Sequence, residues 1–163
     1  MEKSKKYYSS KQENMIADFL KWHVVPGSGS RNCYPGDIES DEWLGECKTH
    51  TTKQPVKFVL KEWSKIREEA IAKMKFPVLF TDDGLQNADT TWCMFLPVVD
   101  ADFARDYKLL NTKIDDISQT DNTIAIKNPS GIPENALIST KVYGRAVFIA
   151  SLKVFRRLIG VIE

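Results

Sequence analysis

Apolar residues recur at two spacings along the chain, one helical and one alternating, and their succession predicts the elements. Behind Ser10, a good N-cap, Met15, Ile16, Phe19 and Leu20 fall at helical spacing and predict a first helix over residues 10–22. His23, Val24 and Val25 read as a short strand stopped by Pro26. Asp37-Ile38 and residues 42–49 flank a tight Glu39-Ser40-Asp41 turn and read as a hairpin. Over residues 55–75, Phe58, Val59, Trp63, Ile66, Ala70 and Met74 form an apolar stripe behind Pro55, which predicts one long helix with Glu69 and Lys73 paired on its wet face. Phe76 to Phe80 is a buried strand that ends at the Thr81-Asp82-Asp83-Gly84 turn.

The second half is less regular. Residues 91–99 predict an apolar strand, Asp100 caps a short helix over 101–110, and residues 111–135 are loop-rich around a small strand from Thr123 to Lys127. Residues 144–149 read as a strand, and Ser151 caps a terminal helix to Ile159. The order implies an α/β fold: a mixed central β-sheet flanked by helices.

Length and composition narrow this. A chain of 163 residues, 42% hydrophobic and 28% charged, is expected to form one domain over 1–163 with a core that needs no staples. No apolar run reaches the length of a membrane span, and the basic N-terminus has no apolar segment behind it, so a cytoplasmic protein is expected. Cys33, Cys47 and Cys93 are odd in number and widely spaced, the pattern of reduced thiols. The net charge of +1 hides an asymmetry: residues 1–75 carry 14 basic against 11 acidic side chains (+3), and residues 76–163 carry 9 against 11 (−2). The basic half, with a flexible lysine-rich arm over residues 1–10 (Lys3, Lys5 and Lys6), suits a polyanionic partner, and reads equally as scattered surface charge with a terminus whose lysines serve solubility.

The candidate chemistry lies between residues 27 and 48. Gly27-Ser28-Gly29-Ser30 is a small permissive loop with exposed hydroxyls and backbone N–H groups able to approach a phosphate. In a strand, residues two apart share a face, so Glu46 and Lys48 point together; Cys47 and Leu44 are expected to point the other way, into the core. Asp37 on the neighbouring strand can sit opposite them. Two carboxylates with a backbone carbonyl and waters form a hard oxygen site of the kind Mg²⁺ prefers, and a lysine beside it can orient a nucleophilic water or stabilise phosphate charge.

A helix with an early Glu, the GSGS loop, a turn with Asp37-Ile38, a strand ending Glu46-Cys47-Lys48, then a helix with Trp63 and a buried strand together resemble the PD-(D/E)xK nuclease superfamily. The loop before the Asp most resembles the archaeal-type Holliday-junction resolvases and their viral relatives. The resemblance covers residues 10–81 and leaves 85–163 as a C-terminal elaboration. It implies a restriction-endonuclease-like core with Asp37 and Glu46 as metal ligands, the Cys47 carbonyl as a third, Lys48 as the catalytic lysine, Glu13 as the helix-borne acid that completes the metal site, and Ser28 or Ser30 as a catalytic loop serine. The implied cofactor is Mg²⁺, with Mn²⁺ as substitute, and the implied substrate is DNA, branched, cut by a homodimer with one site for each strand. Asp37 follows Gly36 where the family has proline, with Pro35 one place earlier.

Other readings weigh against these. Glu13 stands in capping-box position to Ser10, and Glu46 with Lys48 can be a surface charge pair. Arg31, Lys53, Lys57 and Lys61, with Lys65 and Arg67, are candidate DNA contacts or a solvated face. Cys33, Cys47, His50 and Cys93 lack the Cys-x₂-Cys pair of a zinc site, the four tryptophans are better spent as core than as stacking surfaces, and His23 has no nucleophile at a recognisable spacing. The rival functions are a restriction-like, repair or recombination nuclease of the same fold, and a DNA-binding protein that keeps the fold without cleavage.

Overall fold

The computed structural model describes residues 2–27, 34–97 and 106–161. Helix α1 (Lys5–Leu20) leads to strand β1 (His23–Val24), hairpin β2 (Ile38–Glu39) and β3 (Trp43–Lys48), strand β4 (Val56–Val59), helix α2 (Leu60–Ala72), and strand β5 (Phe76–Thr81). Strands β6 (Trp92–Phe95), β7 (Lys108–Leu110), β8 (Ile117–Gln119), β9 (Thr123–Ile126), β10 (Ala136–Val142) and β11 (Arg145–Ser151) follow, and helix α3 (Leu152–Leu158) closes the described chain. An eight-stranded sheet runs β1-β2-β3-β5-β6-β11-β10-β7, and a three-stranded sheet runs β4-β9-β8. The large sheet is mixed: β3 pairs with β5 and β10 with β7 in parallel, and the other neighbours are antiparallel. The expected α/β architecture, a mixed central sheet flanked by helices, is present.

Alternation along the strands divides the core into two layers. Val78, Phe80, Cys93, Phe95 and Ala150 face α1 and α3 and pack with Ile16, Leu20 and Phe155. Leu79, Met94 and Ile149 face the other way, onto Trp63 and Ile66 of α2 and onto Phe58 and Ile124 of the small sheet. Strand β3 follows the same rule. Trp43 and Cys47 face the α1 layer and Leu44 the α2 layer, so Leu44 shares its face with Glu46 and Lys48 and not with Cys47 as expected. Trp43, Trp63 and Trp92 are core residues, as are the free thiols Cys47 and Cys93. No helix among the described residues is long and apolar enough to cross a membrane.

Several boundaries differ from expectation. The first helix begins one and a half turns earlier, at Lys5, where Ser4 Oγ accepts the Tyr7 N–H at 3.3 Å. Residues 5–10 are therefore helix and not a flexible arm, and Ser10 and Glu13 lie inside it and not at a cap. The helix expected over 55–75 is a strand followed by a helix: Val56 and Phe58 are buried with Lys57 exposed between them, a period of two, and they pair with β9. Lys65, and not Lys73, pairs with Glu69, at 3.7 Å; Lys73 and Lys75 both reach Glu39 on the hairpin, at 3.7 and 2.9 Å. The part of the expected 101–110 helix that is described contains strand β7, drawn into extended pairing by β10.

Candidate active site

Gly36 sets the turn into the site. Its φ is +78°, and a Cβ there would stand 2.6 Å from Leu44 Cδ1, so the position excludes proline, whose ring fixes φ near −65°. The geometry that delivers Asp37 is built on a left-handed glycine, at the place where the nucleases that the sequence resembles have proline.

Strand β2 pairs with β3 only at Ile38 with Gly45 and Glu39 with Leu44, whereas β5 pairs with all six residues of β3 from Trp43 to Lys48. Past Gly45, side chains take over. Asp37 Oδ2 accepts the Cys47 N–H at 2.8 Å, and Gln12 of α1 donates from Nε2 to the Lys48 carbonyl at 2.7 Å. A strand residue directs its N–H and C=O to the same edge, so the Cys47 carbonyl also leaves on the side that holds Asp37. Three segments thus converge where β2 stops: a helix bearing Glu13, a turn bearing Asp37, and a strand end bearing Glu46 and Lys48. All four side chains line one open cleft of about 1090 Å³.

The electrostatics of the group are those of a crowded acid cluster. Burial, and then the charges of Asp37 and Glu46, raise Glu13 from the ordinary carboxylate value to about 7, against a smaller opposing pull from Lys48. Glu46 is buried, and burial with Asp37 pushes it upward, opposed by the Lys48 ammonium, whose Nζ lies 2.8 Å from Glu46 Oε1. Burial alone would depress Lys48, but the Glu46 hydrogen bond and the charges of Glu46, Glu62 and Asp37 outweigh it and hold the lysine protonated. Burial, and then Asp37, Glu13 and Glu46, push the Cys47 thiol far up, so this cysteine is an inert core group. Among the described residues no three His, Cys, Asp or Glu side chains are gathered tightly enough to form a ready-made metal cage.

A raised Glu13 has a thermodynamic signature. Between the unfolded value near 4.5 and about 7 the folded protein holds more protons at this position than the unfolded chain, so its contribution to stability falls as pH rises through that window. Thermal melts of the metal-free protein at pH 5 and pH 8 are expected to show a larger Tm loss on the alkaline side for wild type than for Glu13→Gln. Parallel losses in the two proteins would show that Glu13 titrates normally.

Of the other expected site residues, Ser28, Ser30, Arg31 and Cys33 lie outside the described residues. Lys53, Lys57 and Lys61 are exposed but do not line the cleft: Lys57 extends from β4 and Lys61 lies on the first turn of α2. The cleft's lysines other than Lys48 are Lys6 on α1 and Lys65 on α2, the latter close enough to Glu46 to stabilise its charge. Two further contributors escaped the sequence reading. Gln12 is fully buried and ties α1 to the strand end, and nothing in the polar run Lys11-Gln12-Glu13-Asn14 sets it apart from its solvent-facing neighbours. Ser9 and Ser10 also line the cleft, and with Lys6 and Glu13 they fall at positions i, i+3, i+4 and i+7 of one helix face. Comparison of the chain with family models, curated proteins and solved structures found no match.

Proposed function

We propose that the protein is a metal-dependent endonuclease that hydrolyses DNA phosphodiesters, with branched DNA as its substrate, acting as a homodimer. One observation carries the reading: carboxylates from a helix, a turn and a strand end line a single open cleft with a lysine, and burial, followed by their mutual repulsion, raises Glu13 to about 7 and pushes Glu46 upward. A structural charge pair needs only Glu46 and Lys48. It gives no reason to bring Glu13 beside them at a cost in burial and charge repulsion, and although Asp37 has a structural task in accepting the Cys47 N–H, its charge adds to that cost for both glutamates.

The donors are of the chemical type a hard divalent cation takes, and the carboxylates would have to draw together around it. Asp37 and Glu46 would hold Mg²⁺ or Mn²⁺, with Glu13 and the Cys47 carbonyl completing the set, all oxygen donors of the type these ions take. When bound, the ion would polarise the scissile phosphate and make a bound water acidic enough to attack it. The protein's own groups do the rest. The Cys47 N–H fixes the Asp37 carboxylate by the 2.8 Å hydrogen bond, so its other oxygen is presented in one orientation. Lys48, protonated and half-buried, is placed to stabilise charge on a phosphate oxygen once Glu46 turns to another cation. Gln12 holds the Lys48 backbone, so the ammonium is aimed by a buried amide and not by an exposed loop.

Glu46→Gln tests the reading. The variant is expected to bind DNA as wild type does and to lose cleavage in Mg²⁺, because the amide keeps size and hydrogen bonding but not the anionic oxygen. Equal loss of binding and cleavage would make Glu46 a structural residue.

A further inference from the structure

One face of α1 forms a wall of the cleft. Lys6, Ser9, Ser10 and Glu13 occupy that face, and all four line the cleft; the same face continues along the helix as the buried Ile16, Ala17 and Leu20, with buried Gln12 at its flank. The stripe leads from a cation, past two hydroxyls, to the acid cluster. From Glu2 to Gln12 the chain carries four lysines against one glutamate, a net of +3, so this end of the helix is the cationic approach to an anionic centre. On the α2 side Lys65 is exposed, lines the same cleft and lies near Glu46. Its partner Glu69 holds it only at 3.7 Å, and Glu69 Oε2 is buried without a hydrogen-bond partner among the described residues. The third feature is aromatic. Tyr34, three residues before Asp37, lines the cleft with 58% of its surface exposed, an uncommon position for a large ring on a turn beside carboxylates.

Together these match the chemistry of a locally unpaired DNA strand: cations for phosphates, hydroxyls that donate to phosphate oxygens, and a ring on which a splayed base stacks. Paired bases inside a duplex are not available to such a ring. We propose that the strand to be cut enters as an unpaired segment, with its phosphates against Lys6, Ser9, Ser10 and Lys65 and a base on Tyr34, and not across the Lys53, Lys57 and Lys61 surface. This rests on the nuclease reading and defines the substrate of that same site.

The test is fluorescence anisotropy of labelled single-stranded, blunt duplex and four-way-junction DNA in EDTA over a series of salt concentrations, with Mg²⁺-dependent cutting of the same DNAs measured beside it. Wild type is expected to bind single-stranded and junction DNA more tightly than blunt duplex. Lys6→Ala and Lys65→Ala should each weaken single-strand binding by roughly five- to tenfold and lower the slope of log K against log salt by about 0.7 per lost contact. Tyr34→Leu should weaken it about tenfold and Tyr34→Phe less than twofold, since the ring and not the hydroxyl stacks. Glu69→Gln should tighten binding by releasing Lys65, a change that a merely structural ion pair would not give. Preference for blunt duplex, an unchanged Tyr34→Leu, or equal losses in Lys57→Ala and Lys61→Ala would overturn the path while cutting by wild type kept the nuclease reading. If wild type neither bound nor cut any of the three DNAs, both would fall together.

Discussion

Asp37→Asn is expected to leave the fold intact and to reduce the rate of Mg²⁺-dependent DNA cleavage by on the order of 10³ or more, the scale of losing a group that stabilises developing charge. The choice of asparagine matters. Asp37 Oδ2 accepts the Cys47 N–H at 2.8 Å at the place where β2 has stopped pairing with β3, so Asp37→Ala would strand a buried donor at a cost of about 1–3 kcal/mol and confuse activity with stability. The amide oxygen of asparagine keeps that bond and removes only the anionic charge. Single-turnover cleavage and a thermal melt on the same preparation separate the two: a normal Tm with lost cutting is expected, and normal cutting would remove Asp37 from the site. Lys48→Ala should behave differently from Asp37→Asn in metal-free protein, because the Lys48 ammonium is what opposes the burial and repulsion acting on Glu46.

The largest expected stability effect is Phe155→Ala. Phe155 is fully buried on α3 and meets Trp22, Trp43, Phe80 and Phe95, with ring centroids 4.9 to 6.1 Å apart. Removing a ring at the centre of such a cluster leaves a cavity bounded by rigid neighbours that cannot close over it, and should cost about 3–5 kcal/mol. For a chain of this size that is a Tm drop on the order of 10 °C, readable by calorimetry. The residue lies in the part of the chain that the nuclease resemblance does not cover, yet its neighbours Trp43 and Phe80 belong to the strands that position Glu46 and Lys48. A loss below about 1 kcal/mol would mean that α3 is peripheral to the sheet.

The parts of the site that were legible in the sequence are those that lie on one element or one turn. Glu46 and Lys48 are two apart in a strand, and strand geometry alone puts them on one face. The position of Asp37 followed from a turn beside a hairpin. The presence of Glu13 in the same cleft is a tertiary fact: the packing of α1 against the sheet decides it, and only the resemblance pointed there. Gln12 and Lys6 were hidden for a related reason. The apolar periodicity of the helix begins at Met15, so the polar turns before it, which build the cleft wall, looked like an unstructured basic arm. Strand β4 was concealed by its own residues, since Phe58 and Val59 extend the apolar stripe of α2 backward and only pairing with β9 fixes them as extended. Strand β10 went unread because Ser139, Thr140 and Lys141 dilute its alternation where it lies toward the β7 side of the sheet. Leu44, three residues from Cys47, lies on the opposite face of β3 by strand parity, and its packing against α2 places it there.

The parity of β3 also explains why the site straddles an edge. Glu46 points to the α2 layer and Glu13 comes from the α1 layer, and they reach one cleft because the two-residue strands β1 and β2 leave the end of β3 uncovered. A longer β2 would have completed the ladder and separated the two carboxylates by a sheet. Shortness of the edge is thus what brings the acids together, with Asp37 accepting the Cys47 N–H that a longer β2 would have paired.

The most direct measurement is cleavage of end-labelled four-way-junction, flap, duplex and single-stranded DNA by purified wild-type protein, in Mg²⁺ and in EDTA. Cutting in Mg²⁺ that EDTA abolishes, strongest on DNA with an unpaired or branched segment, is the outcome expected of the Glu13, Asp37, Glu46 and Lys48 cluster. Intact DNA in every lane, with protein that melts cooperatively, would contradict it.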